Sequence, residues 1–298
     1  LGVLELLGEL VQEGLVVGPG GGGGLEGSQA VLQGPGNVEH HALAADDVFG
    51  NAPAGLVRNL AGGSLGGPLR ANRTFYFGAV DVQRQTTPLT VKFARSVRGV
   101  AVPELGIPDL GVLEGQYPRR DNVTALLAKL DHAVTSRHRL SVRGTFSRSY
   151  GDNSAGGGLL LSQAPSNLET FRNQGGSIVA SLSGPLGAGL QLETKVQTSR
   201  ETRPRDAQSS GPQVQISDTG TFGSALFLPG TQDMYRYQIS ENAVRTRGSH
   251  EIRFGADVNA FNMRNNAFAL GLNGGYVFPT LESFVARRPL LYVQNFGL

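Results

Sequence analysis

The feature that most limits how this chain can fold is a two-residue alternation of apolar and polar side chains, sustained over unusually long segments. In Glu251–Ala260, Ile252, Phe254, Ala256, Val258 and Ala260 share one side, and Glu251, Arg253, Gly255, Asp257 and Asn259 share the other. Leu190–Ser199 sets Leu190, Leu192, Thr194, Val196 and Thr198 against Gln191, Glu193, Lys195, Gln197 and Ser199. Arg139–Ser147 sets Leu140, Val142, Gly144 and Phe146 against Arg139, Ser141, Arg143, Thr145 and Ser147. Successive side chains of a strand point to opposite faces, so this period predicts strands with one apolar and one polar face. Arg73–Gln83, Asn122–Val134, Gly176–Leu186 and Met234–Thr246 are further candidate strands.

The segments group into hairpins. Asn122–Val134 turns into Arg139–Tyr150 through Thr135-Ser136-Arg137-His138, Gly176–Leu186 into Leu190–Arg200 through Gly187-Ala188-Gly189, and Met234–Thr246 into His250–Met263 through Arg247-Gly248-Ser249. Turns this short are the usual hairpin connections. The other connections, Arg84–Asp121, Gly151–Gly175 and Glu201–Asp233, are long and rich in glycine, serine and proline. Compact soluble domains rarely carry structureless loops beyond about 12–15 residues, and their strands average about 5–6. Long strands joined alternately by short turns and long loops are the pattern of a transmembrane β-barrel. The expected fold is therefore all-β: an antiparallel transmembrane β-barrel segment, a partial barrel of about eight strands, with long loops.

Composition agrees. Glycine contributes 43 of 298 residues, which suits turns and bends and weakens helices by about 1 kcal/mol per interior position. No cysteine is present, which removes disulfides, thiolate nucleophiles and thiolate-ligated metals. A net charge of +2 gives no signal for nucleic acid. No apolar run is long enough for a spanning helix, and a mean hydropathy of −0.13 is compatible with strands that are apolar on one face only. Residues 1–17, with Leu4, Leu7 and Val11 on one face, read as a short N-terminal helix ended by Gly18–Gly24. That glycine run lacks the Gly-Lys-Ser/Thr ending of a phosphate loop and reads as a flexible linker, as does Gly62–Gly67.

Candidates for chemistry are few. His40 and His41, near Asp46 and Asp47, are residue types that ligate metals, but adjacent histidines on a strand point apart. His132 and His138 sit at a turn, and His250 begins a strand. Glu241 and Asp257 are a candidate carboxylate pair, weighed against pairing with arginines. No Gly-x-Ser-x-Gly elbow occurs. Asn72-Arg73-Thr74 and Asn122-Val123-Thr124 match a glycosylation sequon, a pattern common by chance. No enzyme activity is expected, nor any catalytic, cofactor or metal site.

Several segments, in order, resemble the barrel of TonB-dependent receptors, in particular an Oar-like subgroup with a carboxypeptidase-regulatory-like N-terminal domain. Gly62–Val82 carries Gly66-Gly67-Pro68 followed by Arg73, Phe75, Tyr76, Phe77 and Gly78; Leu130–Tyr150, Gly223–Phe254 and Gly275–Pro289 resemble later elements. The resemblance covers about residues 53–298. It implies energy-coupled uptake of a bulky, unidentified substrate across the outer membrane. The implied partners are outer-membrane lipid, a plug domain of the same protein and the TonB complex. The implied organisation is an N-terminal helix and linker over 1–35, a plug-to-barrel transition over 36–66 and a partial barrel over 67–298. The stripes Leu140, Val142, Phe146, Leu190, Leu192, Val196, Ile252, Phe254 and Val258 are expected to face lipid. Arg139, Arg143, Glu193, Lys195, Arg253 and Asp257 are expected to face the lumen. Phe75, Tyr76, Phe77, Tyr150, Tyr235 and Tyr237 suit an interfacial aromatic girdle. The chain opens at Leu1 without a basic-then-apolar leader and stops at Leu298 inside the strand-like run Leu290–Phe296, so both ends read as cuts in a longer protein. The competing reading is a soluble β-rich adhesion or carbohydrate-binding module, which needs a core between two sheets.

Overall fold

The computed structural model describes residues 29–33, 39–40, 56–154, 162–268 and 270–296. The strands before the first long loop are β1 (Gln29–Gln33), β2 (Glu39–His40), β3 (Val57–Arg70) and β4 (Thr74–Val91). The central set is β5 (Gly115–Ala133), β6 (Arg139–Ser154), β7 (Glu169–Pro185), β8 (Leu190–Thr202) and β9 (Arg205–Ala207). There follow β10 (Gln213–Ile216), β11 (Gly220–Phe222), β12 (Gly230–Arg247), β13 (His250–Phe268) and β14 (Gly275–Phe278). A single α-helical turn, α1 (Leu281–Val285), and β15 (Leu291–Val293) end the described chain.

One antiparallel sheet dominates, in the order β1-β3-β4-β5-β6-β7-β8-β12-β13, with β2 and β9 added at its margins. Its eight long strands run from 13 to 19 residues. All three expected hairpins are present, with Leu126 opposite Phe146 in the first and Ile239 opposite Val258 in the last. Their turns are locally encoded. The Thr135 hydroxyl accepts from the Arg137 and His138 amides at 3.2 and 3.0 Å. Gly187, Gly189 and Gly248 take positive φ, where a glycine has no steric cost.

Two expectations are corrected here. Gly62–Gly67 is not a linker but the middle of β3, paired with β4 from Gly62 opposite Asp81 to Gly67 opposite Tyr76. The glycines make room for the neighbouring strand: a Cβ on Gly66 would lie 3.1 Å from the Phe77 ring, and one on Gly62 would overlap the Asp81 carboxylate. The long connections are also far from structureless. β4 continues to Val91 and β5 begins at Gly115, so much of Arg84–Asp121 is strand. The remainder folds with the other long connections into a cap at one end of the sheet.

The cap has its own four-stranded sheet, β11-β10-β14-β15, in which β10 and β14 are parallel. The run Leu290–Phe296 thus supplies a cap strand and not a wall strand. Around this sheet Phe93, Val97, Val102, Leu110, Ala164, Val214, Ile216, Phe222, Phe278 and Leu281 are buried together. Each large side chain so buried contributes about 1.5–3 kcal/mol. Phe284 meets the rings of Phe222 and Phe278 edge to face, with centroids 5.9 and 5.1 Å apart. A second cluster, Leu89, Val91, Leu168 and Tyr117, ties the cap to the ends of β4 and β5. The expected N-terminal helix lies outside the described residues, as do His41, Asp46 and Asp47; His40 falls in β2.

Candidate functional site

The cross-strand register sorts every wall residue onto one of two faces. On one, Leu130, Val142, Ala180, Val196, Ile239 and Val258 stand directly opposite one another across six strands. Parallel rows carry Val80, Leu126 and Phe146, and Leu192, Ala243 and Phe254. All the residues expected to form the apolar stripe share this face. Among the described residues nothing covers it: Leu126 is 43% exposed and Ile178 57%.

The other face is polar and less accessible. Ala125, Leu127 and Val179, neighbours of those exposed residues in the same strands, are only 5%, 6% and 8% exposed. Side chains crowd on the inside of a curved sheet and spread on its outside, so the polar face is the concave one. Several of its charges are paired along a strand, and others make polar contacts across strands. Lys129 meets Asp131 at 2.9 Å, Arg119 meets Asp121 at 3.2 Å, and Arg253 meets Glu251 at 2.8 Å. Arg236 donates to Asn259 at 3.0 Å and to Gln238, which donates to Asp257 at 2.6 Å. A shallow depression of about 350 Å3 opens on this face near the short turns, bordered by Arg139, Ser183, Gln191, Glu193 and Asn242. Leu89, Val91 and Tyr117, which anchor the cap, have the parity of this face, so the cap leans over the concave side.

The cap is held by ion pairs that join loops distant in sequence. Arg95 donates to Asp218 at 2.6 Å and makes a bidentate contact with Glu282, at 3.0 and 2.5 Å. The Arg95 hydrogen bonds hold the Glu282 carboxyl down at about 2, against an ordinary 4.5, and keep the guanidinium firmly charged. Burial opposes ionisation of Asp218, but Arg95, the Thr219 hydroxyl and the Leu281 amide outweigh it and lower its pKa. Arg287 and Glu104 close a further contact at 2.7 Å. No pattern in the sequence brings Arg95, Asp218 and Glu282 together.

The structure places three further groups of residues weighed in the sequence. Glu241 and Asp257 do not pair, because Ser240 stands opposite Asp257 and Glu241 opposite Ala256, which puts the carboxylates on opposite faces. Glu241 instead accepts from the Thr194 hydroxyl at 2.6 Å on the exposed face. His132 contacts Thr74 at 2.8 Å, a structural pairing beside the turn. The run Phe75-Tyr76-Phe77 is split by alternation. Tyr76 joins Tyr150, Tyr235 and Tyr237 on the exposed face, whereas Phe75 and Phe77 share the face of Lys129 and Asp131. No cluster of three metal-ligating side chains occurs among the described residues.

Residues 111–288, more than half of the chain, match a family described as the outer membrane beta barrel domain. The chain belongs to that family. No curated protein sequence matches it. Among solved structures it is similar to the outer membrane transporter YddB from Escherichia coli, at 12% identity and a TM-score of 0.50, over 74% of this chain and 27% of that one. The chain therefore spans about a quarter of the length of that structure, and the likeness is one of fold. As an outer-membrane β-barrel segment, the protein resides in the outer membrane. In such barrels the long loops are extracellular and the short turns periplasmic, which places the cap outside the cell.

Proposed function

We propose that this chain forms part of the wall and the extracellular cap of an energy-coupled outer-membrane transporter, of the TonB-dependent, Oar-like kind. The observation that carries the reading is the pairing of a polar concave wall with a folded cap leaning over it. A bulky polar solute can be selected at the cap and pass along such a wall without meeting an apolar surface. The convex face, with Leu126, Ile178, Val196 and Val258 uncovered, contacts outer-membrane lipid. The concave face meets a plug of the same protein, and the pull on that plug comes through the TonB complex. The barrel itself does no covalent chemistry, needs no cofactor and binds no nucleic acid; the substrate stays unnamed. An adhesion or carbohydrate-binding module fits less well, because no second sheet covers the apolar face.

The test is fractionation and uptake with the full-length protein. It is expected in the outer-membrane fraction with heat-modifiable migration, and its deletion is expected to abolish growth on one bulky nutrient in a manner that inactivating the energy-coupling complex reproduces. Recovery from the soluble periplasm, or uptake indifferent to energy coupling, overturns the proposal.

A further inference from the structure

Just beyond the apolar band, on its extracellular side, the convex face carries a row of arginines. Register places Arg84, Arg120, Arg148, Arg172, Arg200 and Arg264 on this face, one each from β4, β5, β6, β7, β8 and β13. Arg84, Arg148 and Arg200 are the first outward positions past Val82, Phe146 and Thr198, and Arg264 follows Asn262. Two of them are neutralised, Arg120 by Asp152 and Arg172 by Asp206, both at 3.2 Å. Arg200 has Asp233 at 3.8 Å. Among the described residues no carboxylate lies within ion-pair distance of Arg84, Arg148 or Arg264. Arg84 donates only to the carbonyls of Gln83 and Val123 and to the Thr124 hydroxyl. Tyr235 lies between Arg200 and Arg264, whose guanidinium carbons stand 5.2 and 5.4 Å from its ring centre. The ring and the two cations mark the level where the hydrocarbon ends.

We infer that this row binds the phosphate groups of an anionic lipid in the extracellular leaflet, with Arg84, Arg148 and Arg264 as the principal contacts. The inference rests on the reading that the convex face contacts lipid. Six cations against three carboxylates leave a net positive belt. Guanidinium groups match phosphate oxygens bidentately, where a lysine offers only a point charge. Long side chains beside the band can keep their stems on apolar surface and lift their heads to the phosphate level. A soluble anion would have no reason to meet a row spread over six strands, whereas a leaflet of phosphorylated lipid meets all of it at once.

The experiment uses full-length protein in a neutral maltoside micelle, titrated with an acylated disaccharide carrying two phosphates and followed by native mass spectrometry. The same lipid without phosphates and inorganic phosphate are titrated in parallel. Wild-type protein is expected to hold the phosphorylated lipid on the order of 100-fold more tightly than the dephosphorylated one, from about three surface cations. The triple variant Arg84→Gln, Arg148→Gln, Arg264→Gln is expected to lose that preference, and Arg143→Gln with Arg236→Gln, on the concave face, to keep it. Raising salt from 50 to 500 mM on wild-type protein is expected to erode the preference without any mutation. Equal affinity for both lipids, full retention in the triple variant, or displacement by equimolar inorganic phosphate overturns the inference. Heat-modifiable migration of every variant, scored in the same samples, reports separately on whether the convex face lies in the bilayer at all.

Discussion

At the level of single residues, the cap depends on a few positions whose roles arise from close approach and charge. Gly223 has φ +80, and a Cβ there would overlap the Pro212 carbonyl. Gly223→Ala is expected to destabilise the cap by about 2 kcal/mol or more, seen as faster proteolysis within residues 203–229 while the wall stays heat-modifiable. The Arg95, Asp218 and Glu282 cluster makes the cap sensitive to acid. A depressed carboxylate pKa stabilises the folded state above the group's ordinary value and loses that contribution as pH falls through the folded one. With Glu282 at about 2 against an ordinary 4.5, the cap is expected to loosen between about pH 4.5 and 2 and to be indifferent to pH above that window. Hydrogen exchange in α1 and β10 across pH 2–7 measures this; protection unchanged at pH 2 refutes it. The cluster is solvent-exposed, so added salt is expected to weaken it at any pH. None of these residues was legible as a site, because three charges in separate, distant segments of the chain carry no local signature.

At the level of elements, each long strand is a two-sided object whose faces tolerate opposite substitutions. In β8, Val196 lies on the convex face between Ala180 and Ile239, and Gln197 on the concave face between Val179 and Gln238. Val196→Arg is expected to destabilise the inserted barrel by about 2–4 kcal/mol, read as a drop in the temperature at which heat-modifiable migration is lost. Gln197→Arg, one residue away, is expected to move that temperature by no more than a degree or two. Comparable losses from both substitutions would refute the two-faced assignment. Alternation in the sequence was sufficient for this result because the period of a strand is fixed by covalent geometry. It failed for β3, where Leu60-Ala61-Gly62-Gly63-Ser64-Leu65-Gly66-Gly67 has too few side chains to show a period. Those glycines are set by what sits opposite them, Asp81 and Phe77, and that information lies in another strand.

For the molecule as a whole, the sheet formed by the described residues ends at β1 on one side and β13 on the other, so among those residues each has one row of backbone groups without a strand partner. Lipid does not tolerate an open sheet edge. The 298-residue chain expressed alone is therefore expected not to give a heat-modifiable monomer in vesicles, and a folded, cooperatively melting monomer would contradict this. Seven of the eight long strands, the three hairpins and the two faces were legible in the sequence. Short turns and two-residue periodicity are local, and each is written within about a dozen consecutive residues. The convergence of the long connections on one buried core is visible only in three dimensions. Phe93, Ala164, Val214 and Phe278 come from four separate segments, and nothing local to any of them names the other three. Alternation names two faces but not which is concave; the expectation that the polar face is the inner one came from the family resemblance and not from the period. The unpaired arginines above the band emerge only from register, because a one-residue slip in any strand would have turned its arginine inward.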